Sequence, residues 1–361
     1  MSSGVPAAAT VHLAQSAAWL HLRRLPAGAV LAVLLGIGIF IAVQSGAVAV
    51  SAGDWLTPLW ADASGSTPGG SYVLWNLRLP RAVFAILIGG TLGLSGALTQ
   101  GLFRNPLADP SLLGVTSGAA CAAALTIVVV SSMHLPLPAG WRIWLLPAAA
   151  FAGAFGVCLL LDYGSRWLTP GSIAGLLLTG MALNAIAVAV IGLCTYLAND
   201  EQLRTLSFWT LGSLAGARWP LVGIAAALLA FSLLALRRLT RSMNALALGE
   251  AAAAHVGVDV GKLRGRVVLL VALVCGFAVA WTGIIGFLGL IAPHMIRGWV
   301  GSDLRRLVPL STLLGGLLLL VADTLARTVA IPAEIPVGIF TSLLGAPFFL
   351  LILRSASRRI G

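Results

Sequence analysis

Gly93-Leu94-Ser95-Gly96 sets a serine between glycines, the arrangement of a nucleophile carried on a small-residue surface. Acyl chemistry there needs a histidine within reach as general base. The nearest candidates are His134, beyond the end of the apolar run 112–132, and His294, near the far end of the charge-free stretch between Arg266 and Arg297. A glycine-rich packing face accounts for the same four letters without chemistry. Ion coupling needs carboxylates buried within apolar runs. Asp323 is the only such acid, close to one end of its run, and Asn184 is the main other strongly polar mid-run residue. Gly261-Lys262 is followed by Leu263 and lacks the upstream glycine spacing of a phosphate-cradling loop, so nucleotide binding by that route is excluded. Cys121, Cys158, Cys194 and Cys275 form no CxxC pair and read as small buried helix residues, with no metal or disulfide framework. So few ionisable groups inside argue that any driving energy enters from elsewhere; were it ATP, a separate subunit would supply the ATPase.

These residues sit in a chain of 361, of which 59% are hydrophobic and 9% charged, with a mean hydropathy of +1.01. Soluble domains are about 45–50% apolar and about 25% charged. The composition therefore excludes an ordinary soluble enzyme, a disordered chain and a nucleic-acid-binding domain. The net charge of +11 is better explained by basic residues at the ends of membrane helices than by a nucleic-acid partner. Clear apolar runs cover 29–50, 82–103, 112–132, 143–161, 173–198, 219–236, 307–326 and 335–353. Between Arg266 and Arg297 there is no Asp, Glu, Lys or Arg. One helix over that stretch would be about 45 Å long, more than a bilayer core of about 30 Å accepts. Gly283, Gly286, Gly289 and Pro293 predict a break, giving two shorter helices that meet in a tight hairpin near 282–286.

Ten spans put both termini on one side. Of the 22 Lys and Arg, only Arg78, Arg81, Arg142, Arg204, Arg218 and Arg327 then lie on the other side. Nine spans would move Arg305, Arg306 and the C-terminal arginines across and largely remove this positive-inside bias. The expected fold is all-α: a polytopic membrane protein with ten transmembrane helices and both termini cytoplasmic. Residues 1–28 form a cytoplasmic N-terminal segment, and 29–355 a single permease-like domain. The first apolar run spans about 22 residues, longer than the 7–15 of a signal-peptide core, and reads as the first helix. Small-residue spacings at Gly89/Gly93 and Gly212/Gly216 predict close helix approach.

Four polar stretches interrupt the oil. Arg78-Leu79-Pro80-Arg81 opens the second helix on the outer face, where its cations serve either as interfacial anchors or as a docking surface. Arg104-Asn105-Pro106-Leu107-Ala108-Asp109-Pro110 stops one helix and starts the next. At 246–257, Gly249 and Gly257 bracket strong helix formers, predicting a short helix outside the membrane with a small alanine face. Such a face fits a partner's groove or is an idle surface. His294 reads as a structural hydrogen-bonder.

Together these stretches resemble the permease subunits of type II ABC importers for iron-siderophores, haem and cobalamin. The resemblance rests on the stretches above, with Gln100, Leu112–Ala119, Phe208–Ser213, Gly286–His294, Asp323–Arg327, Glu334–Gly338 and Leu344–Phe348, and covers roughly residues 70–355. It implies a homodimer of ten-helix subunits in the bacterial inner membrane, with the path along the dimer axis. Two ATP-binding subunits sit below and a periplasmic substrate-binding protein docks above. It also implies that the chain is not an enzyme, has no catalytic or metal-ligating residue and binds no cofactor, ATP and magnesium belonging to the partner subunit. By that resemblance Leu248, Gly249, Glu250, Ala252, Ala253, His255 and Gly257 form the coupling helix that rests on the ATPase. Arg78, Arg81 and Arg327 match outer arginines that meet acids on the binding protein. The wording of residues 104–110 and 208–216 is most similar to haem members, with ferric siderophore and cobalamin as the other cargos. From other classes, the rival readings are an ion-coupled secondary transporter and a rhomboid-type intramembrane protease.

Overall fold

The computed structural model describes residues 26–56, 69–130, 133, 138–169 and 172–357. Most of the 1–28 segment, His134 and the last arginines, Arg358 and Arg359, lie outside the described residues. Among those described there is no strand. The helices are α1 (Ala27–Gln44), α2 (Ala52–Leu56), α3 (Gly69–Phe103), α4 (Val115–Val130), α5 (Ala139–Leu168), α6 (Ile173–Leu197) and α7 (Asp200–Leu211). They continue as α8 (Trp219–Ala247), α9 (Glu250–His255), α10 (Val260–Thr282), α11 (Leu288–Val300), α12 (Leu304–Thr328) and α13 (Val337–Ser357). By length and composition, α1, α3, α5, α6, α8, α10 and α12 can each cross a membrane; α4 and α13 are shorter apolar helices. α11 has 13 residues and is about 20 Å long, short of a full span.

α3 is the hub, packed on α8, α10, α11 and α12. Its closest partner is α12. A Cβ on Gly89 would collide with the carbonyl of Gly315, and one on Gly93 with that of Ser311. Lipid offers no hydrophobic drive for helix association, so backbone-to-backbone contact of this kind supplies it through dispersion. The Gly89/Gly93 spacing thus does what the sequence predicts. Gly212/Gly216 does not: α7 ends at Leu211, Gly212 has φ 73, and a Cβ on Gly216 would meet nothing. Gly212 serves a turn whose carbonyl accepts the N–H of Val337 at 3.1 Å.

The second helix begins earlier than Pro80 suggests. It starts at Gly69 and passes Pro80 through a π-type stretch, Val73–Arg78, in which the Leu79 N–H bonds the carbonyl of Leu74. The wider turn absorbs the bond that proline cannot make. α1 lies along α12 and so belongs to the bundle.

The break after Thr282 forms, but not as a packed hairpin. Gly283 (φ 69) and Phe287 (φ 65) turn the backbone, and α10 and α11 then pack little on each other. α11 instead settles on α3 and α12, its Gly289 pressed against Gly96 in the last quarter of α3. Non-helical backbone at such depth persists only where protein covers it. Here the Thr282 carbonyl accepts the Ser213 N–H at 2.7 Å, and Gly338 of α13 lies against the carbonyl of Ile284.

Candidate functional site

Three sites concentrate the polar chemistry. At the outer end, Arg81 of α3 holds Asp323 of α12 through Nε at 3.1 and 3.0 Å and Nη2 at 2.9 Å. Its Nη1 reaches both oxygens of Glu334 at 2.9 Å. The Asp323 side chain is 2% exposed, that of Glu334 48%. Arg327, one turn beyond Asp323, lies 3.8 Å from that carboxylate through Nε and donates to the carbonyls of Ser45, at 2.8 Å, and Ala42. Arg78 donates to the carbonyls of Val43 at 2.9 Å and Val48 at 2.5 Å. Two guanidiniums therefore cap the C-terminus of α1, whose last carbonyls lack intrahelical partners and carry the negative end of the helix dipole.

That geometry alters the sequence picture of the outer arginines. Arg78 is only 6% exposed and Arg327 is largely enclosed, so both are spent inside the chain, tying α1 to α3 and α12. Arg81 keeps 14% of its side chain open. It borders a pocket of about 200 Å³ with Phe208, Ser213, Leu214 and Glu334. Sequence reasoning noted Asp323 as an ion-coupling candidate; the structure pairs it with Arg81. The pairing was legible only in that both residues are charged at the outer ends of apolar runs.

The second site is the cytoplasmic connection. Gly249, at φ 118, ends the link from α8 and launches α9. Glu250 bonds Arg264 of α10 at 3.1 Å, fixing the short helix to the bundle. Asp259 caps α10 by accepting the Lys262 N–H at 2.9 Å, which holds its carboxyl below the usual carboxylate range. Ala253 is fully buried, whereas Ala251, Ala252, Ala254, His255 and Gly257 are exposed. Leu248 is 81% and Val256 70% exposed. The expected alanine face therefore exists, with an apolar rim, but Ala253 points away from it.

A third feature went unnoticed in the sequence. Gln100 of α3 donates to the Leu290 carbonyl at 3.2 Å and accepts from Arg297 at 3.0 Å, clamping α11 to α3. Arg297 also donates to Ser302 at 3.1 Å. Ser95, the would-be nucleophile, is fully buried and bonds the Thr91 carbonyl at 2.7 Å, its glycines occupied by helix contacts. His294 sits at the Pro106 carbonyl. Among the described residues no three His, Cys, Asp or Glu side chains converge to hold a metal.

A bundle of apolar helices hung on one central helix, with a small helix outside the bundle, has the anatomy of a membrane transport subunit. Residues 33–355 match the FecCD transport family. The chain belongs to that family. Among FecCD-type relatives, the hemin transport system permease protein HmuU of Yersinia pestis is 42% identical over 334 residues, covering 92% of this chain and 96% of that protein. The vitamin B12 import system permease protein BtuC of Yersinia enterocolitica is 38% identical over 309 residues, covering 85% and 88%. A solved structure titled as an inward-facing conformation of a putative metal-chelate type ABC transporter superposes with a TM-score of 0.78 at 32% identity, covering 90% of this chain and 97% of that one. PsaBC from Streptococcus pneumoniae, with TM-score 0.53 at 17% identity over 78% and 92% of the two chains, shares the fold. The FecCD chain is thus an ABC importer permease, a multi-pass membrane subunit and not an enzyme, with ATP hydrolysis in a separate subunit. Its family implies ATP-binding and substrate-binding partners.

Proposed function

We propose that this permease carries haem from periplasm to cytoplasm across the bacterial inner membrane, as a homodimer of ten-helix subunits with both termini cytoplasmic. The observation that carries the cargo is the 42% identity to the hemin permease over nearly the whole of both chains. The ten helices are α1, α3, α4, α5, α6, α8, α10, α11, α12 and α13. Homodimer formation is supported by α6, which exposes Asn184 in mid-span. An amide facing hydrocarbon is costly, so a second subunit or the path itself covers that face. No cofactor is held by this chain, and ATP with magnesium belongs to the two ATP-binding subunits. The outer rim at Arg81 receives the binding protein, with Arg78 and Arg327 holding α1 in place beneath it.

The test is reconstitution in proteoliposomes with the ATP-binding subunit and the binding protein, offering haem, cobalamin or a ferric siderophore. The permease alone should hydrolyse no ATP, and the complete complex should accumulate haem only with ATP. ATP-driven uptake of another cargo would replace haem, and uptake driven by an ion gradient without ATP would overturn the importer reading.

Residues 248–257 rest on the ATPase in this proposal. Ala252→Glu should leave the permease folded but abolish ATP-dependent transport, because the exposed alanine face tolerates no added volume once docked. Ala253→Glu should instead destabilise the permease itself by about 1–3 kcal/mol or more, since that methyl is buried against the bundle. Transport and unfolding measured on both variants separate the effects. Normal transport by Ala252→Glu would make α9 an idle surface.

A further inference from the structure

Arg237 and Arg238 of α8 and Arg266 of α10 line one groove of about 800 Å³ over a wall that includes Phe231, Leu234 and Leu269. All six are exposed. Three other cations at this end are matched, Arg166 to Asp162, Lys262 to Asp259 and Arg264 to Glu250, while Arg305 and Arg306 are exposed away from the groove. The three groove arginines make no hydrogen bond or ion pair with any described residue, and no acid lines the groove. Arg237 stands 18 positions after Trp219, about 27 Å along α8, close to the thickness of a bilayer core. The apolar wall then lies at acyl-chain depth and the three guanidiniums at the level of the cytoplasmic head groups.

We propose that this groove is a binding site for an anionic phospholipid of the cytoplasmic leaflet whose head group carries two phosphates. Guanidinium forks bind phosphate oxygens in pairs, so three of them suit two phosphates better than one. Basic pockets between membrane helices on this side bind such head groups. One acyl chain lies along Phe231, Leu234 and Leu269. A water-soluble anion has no use for that wall, and a zwitterionic lipid has no use for three unpaired cations. The inference rests on the membrane orientation proposed above, but its readout is lipid retention, whereas the importer reading is tested by ATP-driven uptake.

The experiment measures lipid retained by the purified permease–ATPase complex in native mass spectrometry, after addition of cardiolipin, phosphatidylglycerol or phosphatidylcholine. Cardiolipin should be retained most strongly. Arg237→Ala with Arg238→Ala and Arg266→Ala should weaken it on the order of a hundredfold, several-fold per arginine. Arg305→Ala with Arg306→Ala removes two exposed cations outside the groove and should leave retention within about twofold, by contrast with the groove set. Leu234→Trp keeps the arginines, narrows the groove and should also weaken retention. Equal retention of phosphatidylcholine, equal loss in the Arg305/Arg306 control, no effect of Leu234→Trp, or release of the ATPase from the triple variant would each overturn the proposal.

Discussion

Asp323→Ala should destabilise the folded permease by about 3–5 kcal/mol, the cost of removing one partner from a buried charge cluster. The carboxylate is 2% exposed and is the counter-charge shared by Arg81 and Arg327, whose side chains are 14% and 9% exposed. Its loss leaves Glu334, half in solvent, as the sole acid on Arg81 and none on Arg327. Both guanidiniums retain or seek neutral oxygens, which do not offset the desolvation of a cation. Unfolding in detergent, titrated against denaturant, would measure the loss. Glu334→Ala should cost about 1 kcal/mol or less, since exposed pairs are screened. The ordering of the two variants separates a buried network from a general effect of outer charge. Equal, small losses in both would show that the cluster contributes little.

Gly93→Leu should prevent the folded permease from accumulating, and Gly93→Ala should already cost roughly 3 kcal/mol, the upper range of overpacking. The first added carbon would occupy the position of the Ser311 carbonyl of α12. Neither side of that contact is a flexible side chain, so relief requires the two central helices to separate. Separation would also pull Gly89 off Gly315 and loosen α11, which packs on both helices. Gly36→Ala in α1 supplies the contrast, because a Cβ there meets nothing within 4 Å. That variant should be neutral or gain up to about 1 kcal/mol from better helix propensity. Membrane yield and thermal stability of the three variants decide the matter, and a stable Gly93→Leu permease would refute the close α3–α12 contact.

What lay in the sequence by itself was whatever depends on local composition. Apolar runs located the helices, because burying a backbone in lipid requires about 20 consecutive apolar residues whatever they touch. The break between α10 and α11 was legible from Gly283, Gly286, Gly289 and Pro293, and the short external helix from Gly249 and Gly257. The ordered motifs from Arg78 to Phe348 pointed to the family that residues 33–355 match. Tertiary structure decided the rest, where a residue's role depends on what faces it across hundreds of positions. Arg78 and Arg327 read as outer docking cations, yet they close the C-terminus of α1, through carbonyls that every residue carries and no sequence pattern marks. Ala252 and Ala253 are the same letter, and only the direction of the bundle makes one a surface and the other a core methyl. Gln100 and Arg297 meet because Gly96 lets α11 come close to α3. Composition specifies what the membrane demands of each segment alone; charge pairing and close packing are set by partners, and those exist only once the chain has folded.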